Sequence, residues 1–499
     1  MTAAASSPGG LRYRSQAGRW VLLATVLGSG IAFLDTTVVN VALPTIGQDL
    51  GAGISSLQWV VNAYTLTLSG FLLLGGSLGD HYGRRRIFTL GVVWFAAASL
   101  LCGLAPTDEA LIAARALQGV GGALLTPGSL AIIEASFRRE DRGPAIGAWS
   151  GLGGVTAAIG PLLGGWLVQA ASWRFIFLIN LPLAAVVVWV SLRHVPESRD
   201  PNATGRLDWA GAGLAAVGLA GIVYALTDGP AQGWTSPPIL GAALVGVAAL
   251  VAFLVWERRT PSPMLPLDIF ASRQFTAANI VTFVVYGALG GSLFLIPIQL
   301  QRVVGYSPLA SGVALAPITL VLLLLSARAG HLASRIGPRL PMTLGPLGVA
   351  AGFVLLTRIG PGASYLVDIL PASLVYGLGL TLTVAPLTST VLAAAPAEHA
   401  GIASAVNNDV ARTAGLLAVA VLPVAAGISG ADALEPAQFD SGFKSAMTIA
   451  AALCAAGGLL SWFTIRNPEP EPEPERRSQD LSCPVNAPPL RRPEAPRAT

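Results

Sequence analysis

About fourteen apolar runs of roughly 18–25 residues, each ended by clustered charge, occupy most of this chain, and a run of that length crosses a bilayer as a helix. The bilayer core offers no water to backbone N–H and C=O groups, so a spanning segment must be a helix or a strand of a closed barrel. Barrel strands alternate apolar and polar residues over ~10 positions, and no such alternation occurs here. Charged residues make up 11% of the chain, against about 25% in soluble domains. The 57 glycines and 36 prolines would burden soluble helices, whereas spans tolerate them because small residues allow close helix approach. The expected fold is an all-α integral membrane protein. Its helices are placed, to within roughly two to four residues, at 19–42, 57–78, 87–105, 110–133, 144–169, 174–193, 208–228, 237–256, 275–300, 308–326, 340–357, 364–387, 399–428 and 442–465.

Charge sets the orientation. With both chain ends, one side of the predicted topology collects 24 of the 30 basic residues, including Arg84, Arg85, Arg86, Arg138, Arg139, Arg142, Arg258 and Arg259. The other side holds Arg174, Arg302, Arg358 and Lys444, while Arg115 and Arg412 lie inside spans. Cytoplasmic loops carry the arginine excess, so both termini are expected in the cytoplasm, in a multi-pass protein of the cell membrane. The positive balance of +4 is accounted for by topology, and no nucleic-acid partner is indicated. The basic start of the chain resembles a signal peptide, but its apolar run continues to about Ala42, contains Asp35 and has no small-residue cleavage site, so it reads as a retained first helix. Cys102, Cys454 and Cys483 have no paired spacing, so neither a disulfide framework nor a metal site is expected.

A repeat divides the chain. Gly76-Ser-Leu-Gly-Asp80-His-Tyr-Gly83-Arg84-Arg85 follows the second span, and Gly330-His-Leu-Ala-Ser334-Arg-Ile-Gly337-Pro-Arg339 follows the tenth. Both fit Gly-x-Leu-small-x-x-x-Gly-x-Arg. The expected organisation is a cytoplasmic segment (1–18), a six-helix bundle (19–193), an inserted helix pair with flanking loops (194–274), a second six-helix bundle (275–466) and a disordered cytoplasmic tail (467–499) rich in Pro and Glu. Paired halves around a midplane cavity point to a transporter that rocks between two openings.

The loop at 76–85 resembles the signature of the major facilitator superfamily, and further motifs are similar to its fourteen-helix drug:proton antiporter family. These are Leu34-Asp35-Thr36 through Asn40 to Pro44 in helix 1, Arg115-Ala-Leu-Gln118-Gly119 in helix 4, and Gly160-Pro161-Leu-Leu-Gly164-Gly165 in helix 5. Trp173-Arg174 through Asn180 to Pro182, Gly205-Arg-Leu-Asp208-Trp209 and Gly305-Tyr306-Ser-Pro308 also fit, and the likeness runs from about Gly18 to Arg466. His81 stands where the loop motif usually has a permanent cation, Thr156 where the helix 5 motif often has glycine, and Ser334 where the second loop would carry an acid. The resemblance implies proton-coupled export of drugs or metabolites by alternating access, without a cofactor. It implies proton and substrate handling by Asp35, Arg115 and Asp409, gating by Asp80, Gly83, Arg84 and Arg85, and an antiport packing motif at Gly160, Pro161, Gly164 and Gly165.

The residues themselves leave alternatives. A carboxylate near a helix centre costs about 2.5–3.5 kcal/mol on insertion scales, so Asp35 needs a partner, a water-filled cavity or a proton. Helices 1 and 4 run in opposite directions, and the topology sets Asp35 and Arg115 at about the same depth in the outer half of the membrane. A static ion pair that only fixes packing and a proton-and-cation site both satisfy that placement. Asp409 falls near the middle of helix 13, and Arg412 at i,i+3 could neutralise it or leave it to substrate. Asp368 reads as a residue of the outer mouth, and Glu134 as interfacial. The arginines at 84 and 85 can fix orientation, close a gate, or both, and the helix 5 glycines suit ordinary packing equally. Asn62, Tyr64, Trp149, Tyr286, Gln299, Tyr376 and Asn407 are candidates for a cavity wall, where aromatic faces suit cations, although Trp and Tyr also populate interfacial belts.

An enzyme would need a nucleophile–base pair, metal ligands or a phosphate loop. His81, His194, His331 and His399 are scattered in or beside loops, and no Gly-rich loop ending in Lys-Ser/Thr occurs. No enzyme activity is expected. The expected partners are the bilayer, a small-molecule substrate and protons, with an ion gradient as the energy source and a monomer sufficient for transport. Symport and a dedicated metabolite exporter remain alternatives to a broad drug antiporter.

Overall fold

The computed structural model describes residues 10–200, 207–261, 263–394, 400–430 and 432–467. Among these, fourteen helices are long and apolar enough to cross a membrane: α1 Gln16–Leu50, α2 Ile54–Tyr82, α3 Arg84–Leu104, α4 Asp108–Ser136, α5 Arg139–Ala170, α6 Phe175–His194, α7 Trp209–Gln232, α8 Pro237–Arg259, α9 Arg273–Val303, α10 Pro308–Ile336, α11 Arg339–Leu356, α12 Tyr365–Ala393, α13 Ala400–Ala425 and α14 Pro436–Thr464. The all-α, fourteen-span expectation holds. Several helices outrun their apolar stretch, because hydropathy marks what lies in lipid while capping decides where a helix stops. At α1, Ser15 Oγ accepts from Gly18 N at 3.1 Å, and Gly51 ends the helix in the left-handed region at φ 66°. The tail beyond Asn467, Gly205 and Arg206 of the helix 7 motif, and His399 lie outside the described residues.

Packing repeats with an offset of eight helices. In the first set α1 packs on α5 and α6, α2 on α4, and α3 on α4 and α6; in the second, α9 packs on α13 and α14, α10 on α12, and α11 on α12 and α14. Glycines allow these close crossings. A Cβ on Gly75 would collide with the Ala123 carbonyl of α4, and one on Gly345 would lie 2.8 Å from the Thr383 backbone of α12. The inserted helices α7 and α8 pack on each other, and α7 lies against both α2 and α13. There Trp59 Nε1 donates to Asp228 Oδ2 at 2.7 Å, Ser55 Oγ donates to Oδ1 at 3.1 Å, and Val223 clusters with Leu66, Leu416 and Ala420.

The two sets meet unevenly. At the end away from the termini, Gln58 Nε2 donates to the Val419 carbonyl at 2.6 Å and Gln301 Nε2 to the Val41 carbonyl at 2.8 Å. A Cβ on Gly165 would lie 2.5 Å from the Pro308 oxygen, and one on Gly312 would overlap the Pro161 oxygen. Toward the terminal end, Gly143, Gly147, Gly151 and Gly154 of α5 have nothing within 4 Å of where a Cβ would stand. The bundle is thus closed at its distal end, and the glycine face of α5 is open toward the end that carries the termini.

The α2–α4 crossing is testable. Gly75→Ala is expected to cost about 1–3 kcal/mol by overpacking and to lower the thermal unfolding midpoint in detergent. An unchanged midpoint would contradict the crossing.

Candidate functional site

Asp35 sits mid-way along α1, where nothing but protein surrounds it. Its side chain and that of Arg115 on α4 are 0% and 1% exposed. Arg115 Nη1 donates to Asp35 Oδ2 at 2.5 Å and lies 2.6 Å from Gln118 Oε1, while Arg115 Nε donates to the Val60 carbonyl at 3.0 Å. The other carboxylate oxygen accepts from Gln118 Nε2 at 2.7 Å and from Asn180 Nδ2 of α6 at 3.5 Å. Gln118 and Asn180 both also reach Ser99 Oγ of α3, at 2.8 and 3.2 Å. The guanidinium stacks on the Tyr64 ring of α2 at 4.3 Å, with Phe177 at 5.7 Å. Five helices therefore contribute to one ion pair, which agrees with the shared depth expected from topology.

The sequence reading named Asp35, Arg115 and Tyr64 but left Gln118, Asn180 and Ser99 out of the site. Gln118 had a signal, since i,i+3 places it on the Arg115 face. Asn180 was a lone amide in an apolar span. Ser99 had none, because serine is common in spans and only the fold brings α3 alongside.

Asp409 and Arg412 stand apart from this network. Both are half-buried on α13, and no ion pair joins them among the described residues, so the Arg412 charge acts on Asp409 only at longer range. Asp409 Oδ1 is buried without a hydrogen-bond donor. Two residues earlier on the helix, Asn407 Nδ2 donates to Asn279 Oδ1 at 3.1 Å and to Thr282 Oγ1 at 2.8 Å, tying α13 to α9.

The remaining cavity candidates divide. Asn62 is fully buried with both amide atoms unpaired, Trp149 donates to Ser29 Oγ at 3.0 Å, and Tyr286 is half-buried against the core. Gln299 and Tyr376, also candidates for the wall, are fully buried. Gln299 is spent on the Ile359 carbonyl (2.8 Å) and Asp440 Oδ1 (2.7 Å), and Tyr376 packs on Phe353 with ring centroids 5.1 Å apart. That packing leaves Gln299 Oε1 and Tyr376 OH buried without a hydrogen-bond partner. Asp368 accepts from Ser364 N at 2.9 Å beside Arg358 near the distal start of α12, and Glu134 is exposed.

At the terminal end, Gly83 turns the chain from α2 to α3 at φ 116°, a conformation that favours glycine. Asp80 Oδ1 accepts from Arg84 Nε at 2.8 Å within this loop, and Arg84 Nη1 reaches the Ala131 carbonyl at 3.4 Å. The segment after α6 docks here. Arg85 N donates to Glu197 Oε1 at 3.1 Å, Arg84 N to the Ser198 carbonyl at 2.9 Å, and Asp200 N to the Asp80 carbonyl at 3.2 Å. In α5, a Cβ on Gly160 would overlap Thr37, and one on Gly164 would lie 2.8 Å from Val38 Cγ1. Pro161 and Gly165 face α10, so the motif packs α5 against both halves. No group of three or more His, Cys, Asp or Glu among the described residues is arranged to hold a metal.

Breaking a buried pair by removing one partner typically costs about 3–5 kcal/mol. Asp35→Ala and Arg115→Ala are each expected to destabilise on that scale, and the double variant to lose clearly less than their sum. Additive losses in a thermal or denaturant series would refute a coupled network.

Comparisons with known proteins agree with this architecture. The chain is 38% identical to Puromycin resistance protein pur8 of Streptomyces alboniger, over 88% of this chain and 89% of that protein. It is 37% identical to Multidrug resistance protein Stp of Mycobacterium tuberculosis, over 77% and 71%, and 34% identical to the Tetracenomycin C resistance and export protein of Streptomyces glaucescens, over 81% and 75%. Among solved structures, a bacterial homologue of the human lysosomal transporter Spinster, inward-facing and unoccupied, superposes with TM-score 0.66 at 17% identity, covering 92% of this chain and all of that one. The family model described as Major Facilitator Superfamily matches residues 25–420. The chain is a multi-pass cell-membrane protein of the Major Facilitator Superfamily, a family of transporters rather than enzymes.

Proposed function

We propose that this protein is a proton-coupled antiporter that exports hydrophobic or cationic small molecules, with Asp35 as its proton site. The observation that carries the reading is the fully buried Asp35–Arg115 pair, whose partners come from five helices. Burial favours the protonated acid, and an adjacent guanidinium favours the carboxylate. A rocking motion that alters either influence makes Asp35 take up a proton at one opening and release it at the other. Arg115 assists by holding the anion when the proton has left. The names of the relatives, which concern resistance to and export of antibiotics, support the substrate class.

The positive-inside pattern orients the termini toward the cytoplasm, so the conformer closed at its distal end is inward-facing. Asp409 then lines the inward opening between the halves 19–193 and 275–466, with a carboxylate oxygen lacking a donor, and attracts the substrate's positive charge. Asp80, Gly83, Arg84 and Arg85 form the inner gate. Asp80 and Arg84 are paired to each other in the open conformer and meet the opposite half on closure. The proton gradient is the energy source, no cofactor takes part, and a monomer suffices.

Asp35→Asn is expected to abolish substrate movement driven by a proton gradient in inverted vesicles, with the protein still inserted and folded. Full retention of coupling would refute the assignment. Asp409→Asn is expected to weaken transport of cationic substrates at least tenfold while sparing neutral ones, measured as resistance and accumulation in an efflux-deficient bacterium; an equal loss for both classes would remove the cation role.

A further inference from the structure

A second pair of acids lies far from Asp35 in the fold, at the terminal end of the inserted helices. Asp208 caps α7 and Glu257 occupies the last turn of α8, and they are 8% and 3% exposed. Each carboxyl has one oxygen fully engaged. Asp208 Oδ1 accepts from Gly211 N and from Trp256 Nε1, both at 2.8 Å, and Glu257 Oε2 accepts from Leu265 N at 3.0 Å. The other two oxygens, Asp208 Oδ2 and Glu257 Oε1, are buried with no N–H or O–H donor, and the two carboxyls are within hydrogen-bond reach of each other. A Cβ on Gly211 would lie 2.6 Å from Asp208 Oδ2 and 2.7 Å from Glu257 Oε1, so the absence of a side chain there lets the two oxygens meet.

Among the described residues no cation relieves this contact, and neither carboxylate forms an ion pair. Arg258 and Arg259 follow Glu257 on α8 but are exposed, as are Asp268 and Arg273 in the connection to α9. Of the helices against α7, α2 carries Asp80, which is paired with Arg84, and His81, whose Nδ1 lies 2.9 Å from the Ser77 carbonyl, and α13 carries Asp409 and Arg412 mid-way along it. Two buried carboxylates in contact cannot both remain ionised, and one proton between them turns repulsion into a hydrogen bond.

We infer that Asp208 and Glu257 form a proton-binding site, one shared proton holding the terminal ends of α7 and α8 together independently of the Asp35 site. The proton fixes three segments at once: the start of α7 through its Gly211 cap, the end of α8, and the connection to α9 through Leu265. The segment after α6 docks on the α2–α3 loop proposed as the inner gate, through Glu197, Ser198 and Asp200. Because the folded chain holds a proton that the separated acids would release, its contribution to stability is lost as pH rises.

The test uses the purified full-length protein in lipid. Infrared spectra at neutral pH should contain a protonated-carboxyl band, shifted in D2O, that is lost in Glu257→Gln and equally in Asp208→Asn, since either amide ends the sharing. Asn still caps a helix well, so both variants are expected to fold. The fall in unfolding midpoint with rising pH should be reduced in both. A band retained in both variants would overturn the proposal. So would a wild-type band that disappears when Na⁺ is added at constant pH, which would make the occupant a metal cation. Neither readout uses transport, and loss of Asp35 function would leave both unchanged.

Discussion

The contact between Asp35 and Arg115 governs this molecule more than any other single interaction. Neither charge is tolerable alone in the membrane interior, where each costs several kcal/mol. Together they are acceptable only because their remaining hydrogen-bonding groups are also met, by Gln118, Asn180, Ser99 and the Val60 carbonyl. That requirement draws α1, α2, α3, α4 and α6 into one register. It also explains why Tyr64 stacks on the guanidinium, covering with an aromatic face a charge that water would otherwise cover.

Such a network is sensitive by construction. A fully satisfied polar cluster in a low-dielectric interior rigidifies what surrounds it, while the same surroundings make any unpaired member costly. A proton added to Asp35 alters the pairing of Arg115 and Gln118 together, so small changes at one atom are felt on several helices. The distal closure, made by backbone contacts at Gly165 and Gly312 and by hydrogen bonds from Gln58, Gln301 and Arg302 to backbone carbonyls of the opposite set, has no ion pair across it among the described residues. Its contacts are close and hold only while the surfaces match. On the proposed mechanism, the charged network responds to protons while the glycine crossings set the two stable arrangements.

The inserted helices occupy a structurally distinct place. Because α7 touches both α2 and α13, it covers the line along which the two bundles meet. Its hydrogen bonds from Trp59 and Ser55 to Asp228 fasten it to the first bundle, while Val223 meets Leu416 and Ala420 of α13 in an apolar cluster. The acids at its other end act on the hairpin itself and on the neighbouring loop.

Much of this was legible in the amino-acid order. Span number follows from hydropathy because the bilayer imposes one length on every crossing. The shared depth of Asp35 and Arg115 followed from topology, a one-dimensional argument that needs no fold, while their contact is given by the structure. Lateral arrangement is a different matter, since depth says nothing about which helices are neighbours. Only the tertiary structure could recruit Ser99 and Asn180, bury Gln299 and Tyr376 fully, leave Asp409 and Arg412 without an ion pair despite their spacing, and bring Asp208 against Glu257 across 49 positions. Those outcomes depend on how rods of similar surface pack sideways, which is decided by close contacts at glycines distributed over the whole chain.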